Sequence, residues 1–341
     1  MFSSILVLLL AASTAFGERS LRMRLSGASS FSCPQSAIVT TTLTNMGDEA
    51  LILLNDPNSI LSDMPTDKFT ISHDNGGFPR FVGVLVDYVP EEATSFTTLV
   101  PGQSISLTHS LADAYDFTHS GSGEYSIEPA SSAFLVLAED GVREMFAETI
   151  AHTAYLSSGI RGDSLDFAPP PRRPRFFGCS AARQQLIIAA TRGAQNYARN
   201  SYNYLRRHNT TSRRYREWFG TFNPSRRKRL VTNFQKISRH NFGTAAYNCS
   251  CNQDNLRAYV YPNRLGVTWL CPAYWRMPAT GPSNKAGTLV HEASHWTATA
   301  DTDDVVYGQT AARDLARRNP GRAIQNADSH RFFAENLPAL P

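Results

Sequence analysis

Beyond its first residues the chain has no apolar run of membrane length, so no later segment reads as a membrane span. Lysine is scarce where basic charge is densest: residues 176–341 hold three lysines, Lys228, Lys236 and Lys285, against 20 arginines. No recognised nucleic-acid motif accompanies those arginines, so no nucleic-acid partner is expected. Cysteine is sparse as well. Five are present, Cys33, Cys179, Cys249, Cys251 and Cys271, four of them in the second half. A secreted chain would pair these four, but spacing alone leaves three connectivities open. Cys249 and Cys251 are one residue apart, so each is expected to bond elsewhere. Cys33 is left over.

What is present divides into unlike parts. A length of 341 residues with 42% hydrophobic content suits one or two domains with real cores. Residues 1–17 read as a secretory signal: a short apolar run from Ile5 to Ala12, then small residues near Ala15 and Gly17. Residues 1–175 carry 10 Lys+Arg against 20 Asp+Glu, whereas 176–341 carry 23 against 9. Such opposed charge suggests two units that attract each other. Between them lies Pro169-Pro-Pro-Arg-Arg-Pro-Arg175, an extended basic stretch open to processing proteases. It reads as the end of a propeptide, with maturation near Arg173 or Arg175. Asn209-Thr-Thr and Asn248-Cys-Ser are glycosylation sequons, the first the better candidate because the second abuts a cysteine.

The two parts also differ in period. Alternating β-branched runs at 36–44, 50–54, 69–72, 81–86, 96–100, 104–107 and 124–127 are separated by turn signals such as Asn75-Gly-Gly and Pro101-Gly. They predict an antiparallel β-sandwich over 18–175, a segment without a visible chemical motif. Helical spacing takes over at 180–208 and 225–242, followed by a hairpin over 257–271. Further helices are predicted near 284–298, 306–318 and 322–334, the first capped by Ser283 or Asn284. The expected architecture is multidomain: an antiparallel β-sandwich propeptide over 18–175, then a mainly α, α+β domain over 176–341, the one that carries the chemical motif.

The chemistry concentrates in His291-Glu292-Ala293-Ser294-His295. Residues at i and i+4 share a helix face, so both imidazoles can reach one ion. Zinc would lower the pKa of a water toward ~7, and Glu292 would take its proton as the water attacks a carbonyl. A third ligand is needed, with the fourth position left open. No further His or Glu comes at short spacing; an acidic loop with Asp301, Asp303 and Asp304 does.

The segments Ala258-Tyr-Val-Tyr-Pro-Asn-Arg-Leu-Gly, Ala286-Gly-Thr-Leu-Val-His-Glu-Ala-Ser-His, Asp304-Val-Val-Tyr-Gly-Gln and Asn326-Ala-Asp-Ser-His resemble the deuterolysin, or aspzincin, family, and within it the fungal peptidyl-Lys metalloendopeptidases. The resemblance implies a secreted zinc endopeptidase with a β-rich propeptide, one zinc per catalytic domain, and the pairs Cys179–Cys249 and Cys251–Cys271. It implies Asp304 as third ligand, nine residues after His295, with Asp303 the rival, and Tyr307 as donor to the oxyanion. One departure is Asp301, where the family usually has Gly, a residue freer in its backbone angles. Another concerns substrate. Of two acids that line the lysine pocket in the relatives, one matches Asp328 and the other stands where this chain has Arg331. On one helix these lie at i and i+3, close enough to pair, so a changed lysine preference is expected.

The function expected is therefore hydrolysis of proteins or peptides by a secreted, extracellular zymogen. Its propeptide would act as intramolecular chaperone and inhibitor, and no membrane partner is expected. The alternative is a secreted binding protein, or an inactive zinc-binding homologue, recognising acidic surfaces; retention of Glu292 weighs against it. Cys33 is expected to be an unpaired propeptide thiol rather than a zinc ligand of the latent form.

Overall fold

The computed structural model describes residues 19–88, 90, 93–139, 141–157, 174–279 and 281–341. The signal segment 1–17 and residues 169–173 of the basic linker lie outside them.

Two sheets fill the first half. Seven strands bond in the order Phe96–Leu99, Leu51–Leu54, Ala133–Ala138, Gly141–Ile150, Leu21–Gly27, Ile38–Asn45, Ser104–Ser110. Four more run Ser30–Phe31, His152–Leu156, Gly123–Pro129, Phe69–His73. Alternation aims Leu21, Met23 and Leu25 inward, into one core with Phe69, Ile71, Tyr125 and Leu156 of the other sheet. Pairing is mostly antiparallel, as expected, but Leu21–Gly27 runs parallel to Gly141–Ile150, and Ser30–Phe31 parallel to His152–Leu156.

The run 81–86, read as one strand, is two pieces. Arg80–Phe81 stays in the first half against Tyr115–Asp116. The chain then passes so close to Pro65 that a Cβ on Gly83 would lie 1.9 Å from its carbonyl oxygen. Past this point Leu85–Tyr88 leaves the first half altogether. It becomes the edge of a five-stranded sheet with order Arg175–Phe177, Ala246–Asn248, Val267–Leu270, Leu256–Val260, Leu85–Tyr88. The expected hairpin is present as the antiparallel pair Leu256–Val260 and Val267–Leu270. The inserted strand is antiparallel to Leu256–Val260, placing Val86 opposite Tyr259 and Asp87 opposite Ala258.

Helices complete the second half: α1 (Ala181–Arg207), α2 (Arg213–Phe219), α3 (Pro224–Arg239), α4 (Pro272–Arg276), α5 (Lys285–His295), α6 (Gln309–Arg318), α7 (Pro320–Ala323) and α8 (Ala327–Glu335). Asn284 caps α5, its side chain accepting from the Gly287 N–H at 3.0 Å. Every residue of α5 is buried, so each polar side chain in it needs a stated role. The disulfides Cys179–Cys249 and Cys251–Cys271 form, and Cys33 is free, held in a turn against Ser36. Asn209 is exposed just past α1. No helix among the described residues is long and apolar enough to cross a membrane.

Helices α5 and α8 pack without a gap where Gly287 faces Glu335: a Cβ there would meet the carboxylate at 1.9 Å. Gly287→Ala should therefore push α5 off α8 and lower stability by about 1–3 kcal/mol. Calorimetric melting of the full chain checks this.

Candidate active site

Helix α5 presents His291 and His295 one turn apart, rings 4.8 Å between centroids. The chain then folds back. Ser294 and Thr302 bond through their hydroxyls at 2.6 Å, and the loop carries Asp304 under both imidazoles. His291 Nε2 lies 3.1 Å from Asp304 Oδ1, and His295 Nε2 lies 3.4 Å from Asp304 Oδ2. Asp301 turns this loop at φ 53°, in the left-handed region where glycine is more at ease, so the departure noted in sequence falls on a residue that needs that conformation. Asp303 is used by its backbone, which bridges to Asn326.

The tautomers follow from the partners. His295 Nδ1–H donates to the Thr302 carbonyl at 2.7 Å, and His291 Nδ1–H donates to Asp328 Oδ1 at 2.9 Å. Both Nε2 lone pairs therefore face Asp304. These two nitrogens, both Asp304 oxygens and both Glu292 oxygens are buried yet have no hydrogen-bond partner. Buried polar atoms are seldom left so, and this cluster of two imidazoles and a carboxylate fits a divalent cation of zinc's preference. Burial pushes the Glu292 carboxyl well above its ordinary range, reinforced by Asp87 and Asp304.

Asn326, just before α8, organises the loop. Its Oδ1 accepts from the N–H groups of Val305 and Val306, both at 3.1 Å. Asp328 Oδ2 accepts from the Gly308 N–H at 2.7 Å, so both Asp328 oxygens are committed to holding His291 and the loop. Tyr307 is thereby aimed at the inserted strand. Its hydroxyl donates to the Val86 carbonyl at 2.9 Å and accepts from Asn58 Nδ2 at 3.1 Å. Burial drives the Tyr307 hydroxyl well above its ordinary pKa, so it keeps its proton.

Arg331 is fully buried. It reaches Asp328 at 3.6 Å, the i,i+3 pairing anticipated from sequence, but also Glu335 at 3.2 Å and Asp87 at 3.2 Å. Asp87 accepts in addition from Thr288 Oγ1 at 3.3 Å and lies 3.8 Å from Arg257. Sequence reasoning missed Asp87, Arg257, Thr288, Thr302 and the loop-holding role of Asn326. Asn326 and Thr288 lie in the segments that carry the family resemblance, which was the available signal.

A profile described as lysine-specific metallo-endopeptidase matches residues 204–335. Peptidyl-Lys metalloendopeptidase of Grifola frondosa is 39% identical over 348 residues, covering 99% of both chains. The enzyme of the same name from Armillaria mellea is 40% identical over 94% of this chain and 92% of its own. An extracellular protease of Aeromonas hydrophila is 32% identical over 88% of each. A solved zinc peptidase from Grifola frondosa aligns with 48% of this chain and 100% of its own, at 41% identity and TM-score 0.47. The chain belongs to the aspzincin family. It is a zinc metalloendopeptidase, similar to the fungal peptidyl-Lys metalloendopeptidases along nearly its whole length.

Two substitutions separate ligand from support. Asp328→Ala should weaken zinc binding roughly 10–100-fold by freeing His291. Asp303→Ala should change affinity far less, because its backbone holds the loop while its carboxylate makes no hydrogen bond to either histidine. Competition against a fluorescent chelator measures both.

Proposed function

We propose that the chain is a secreted zymogen whose 176–341 segment hydrolyses peptide bonds, with its β-sandwich segment 18–175 as chaperone and inhibitor. One zinc would be held by His291, His295 and Asp304. The carrying observation is that these ligands and Glu292 are buried without partners directly beneath a strand laid along Leu256–Val260. When bound, zinc supplies a Lewis acid that polarises a carbonyl and acidifies water toward pKa ~7.

The residues of the chain do the rest. A substrate pairs antiparallel with Leu256–Val260, as Leu85–Tyr88 does here, which fixes its direction. Tyr307 donates to the carbonyl at the position held by Val86, and its bond strengthens as that oxygen gains charge. Glu292 takes the proton of the attacking water and returns it to the departing amine, a role suited to a carboxyl whose proton affinity burial has raised. Asp328 and Thr302 hold the two imidazoles in register. The inserted strand supports the inhibitor role, since it fills the position a substrate needs. The cysteine pairs and the exposed Asn209 sequon agree with an extracellular address.

Chelator-sensitive hydrolysis of casein should appear once the N-terminal segment is removed, and its absence would favour a binding protein. Glu292→Gln should keep zinc yet lose hydrolysis. Tyr307→Phe should lower kcat about 10²–10³-fold with zinc affinity unchanged. Steady-state kinetics beside metal analysis decides.

A further inference from the structure

Asp87 comes from the first half and is fully buried beside Arg331. Three donors face Asp87, and an Asp328 oxygen and a His291 nitrogen also lie within 4.8 Å of it. Arg331 Nη1 lies 3.2 Å and Thr288 Oγ1 lies 3.3 Å from Oδ2, while Arg257 Nη1 lies 3.8 Å from Oδ1. Two of the acids nearby, Asp328 and Glu335, are already engaged. Asp328 holds His291 and the Gly308 N–H. Glu335 accepts from the backbone of Ser283 at 2.9 Å, from that of Asn284 at 3.2 Å, and from Arg331 Nε at 3.2 Å. A lysine ammonium placed here would meet two guanidinium groups, with the carboxylates of Asp328 and Glu335 already bonded.

The backbone fixes what this pocket reads. Tyr307 bonds the carbonyl of Val86, the residue just before Asp87, within a strand paired to the cleft edge. If that carbonyl stands where the scissile one would, the side chain of the next residue enters the pocket. We infer that this enzyme selects an acidic residue, aspartate in the first place, immediately after the bond it cuts, and that Val86–Asp87 is the chain's own mimic of that substrate. This rests on the protease reading above. In the reaction so selected, water adds across the amide preceding an aspartate. The carbonyl carbon gains the water's hydroxyl, the C–N bond breaks, and the aspartate nitrogen leaves as an amine carrying the second proton. Arg331 and Arg257 pair with the aspartate carboxylate, and Thr288 orients it.

Two measurements test this. In the first, the zinc-loaded chain, processed at its 169–175 linker, is given a peptide library and the fragments are sequenced. Cleavage before Asp should exceed cleavage before Lys by at least ~10-fold, and Arg331→Glu should reverse the order. Strict cleavage before Lys, or indifference to charge, overturns the inference while leaving the protease reading intact. No cleavage of any peptide overturns the protease reading, and the pocket is then judged by the second measurement. Hydrogen exchange of the unprocessed full chain is followed over Leu256–Val260, a readout independent of catalysis. Asp87→Lys should speed exchange there about 10-fold or more, Asp87→Glu far less, and Arg331→Glu added to Asp87→Lys should restore protection. Full protection in Asp87→Lys, or equal loss in Asp87→Asn and Asp87→Lys, overturns it.

Discussion

A single buried guanidinium ties the parts of this molecule together. Arg331 has no access to solvent, so its charge has to be met inside the protein. It is met by three carboxylates that belong to three different tasks. Asp328 holds His291. Glu335 accepts the backbone at the start of α5, the helix that carries both histidines. Asp87 arrives from the far half of the chain. Leaving a buried charge of this kind uncompensated costs roughly 3–5 kcal/mol, so the metal centre, its helix and the covering strand are energetically coupled through one side chain.

The opposed charges of the two halves acquire a local meaning in this light. A net excess of acid in one half and of base in the other gives long-range attraction, but attraction alone sets no register. Register comes from the ladder between Leu85–Tyr88 and Leu256–Val260, and from neutral contacts beside it. Thr94 bonds Asn255 Oδ1 through both its N–H and its hydroxyl, at 2.9 Å each, and Asn58 bonds Tyr307.

The zinc helix was legible because its signal is local: two histidines four apart need only one helix to meet. The helices α1, α3, α5 and α6, and the hairpin after α3, were legible for the same reason. The candidate third-ligand loop was not fixed by spacing, since three aspartates compete there, and the structure sets Asp304 apart by bringing its oxygens to 3.1 and 3.4 Å from the two Nε2 atoms. Strands such as Gly141–Ile150 escaped notice because the strand is exposed along almost its whole length and shows no alternation. Asp87 was beyond reach on physical grounds. It follows the run 81–86, which reads as ordinary strand, and nothing in that run reveals that the chain leaves its own half past Gly83. Arg331 was noticed but could be weighed only against Asp328, its neighbour in sequence.

The inserted strand has a consequence for the life of the protein before any substrate is met. Leu256–Val260 would otherwise end its sheet with a row of unpaired N–H and C=O groups, a template on which another chain can grow. In the intact chain that row is paired with Leu85–Tyr88, so it is not open to a neighbouring molecule. Were the N-terminal segment removed, the same row would be bared. Mutual repulsion is then the remaining protection against self-association, and the excess of arginine over acid in residues 176–341 supplies it.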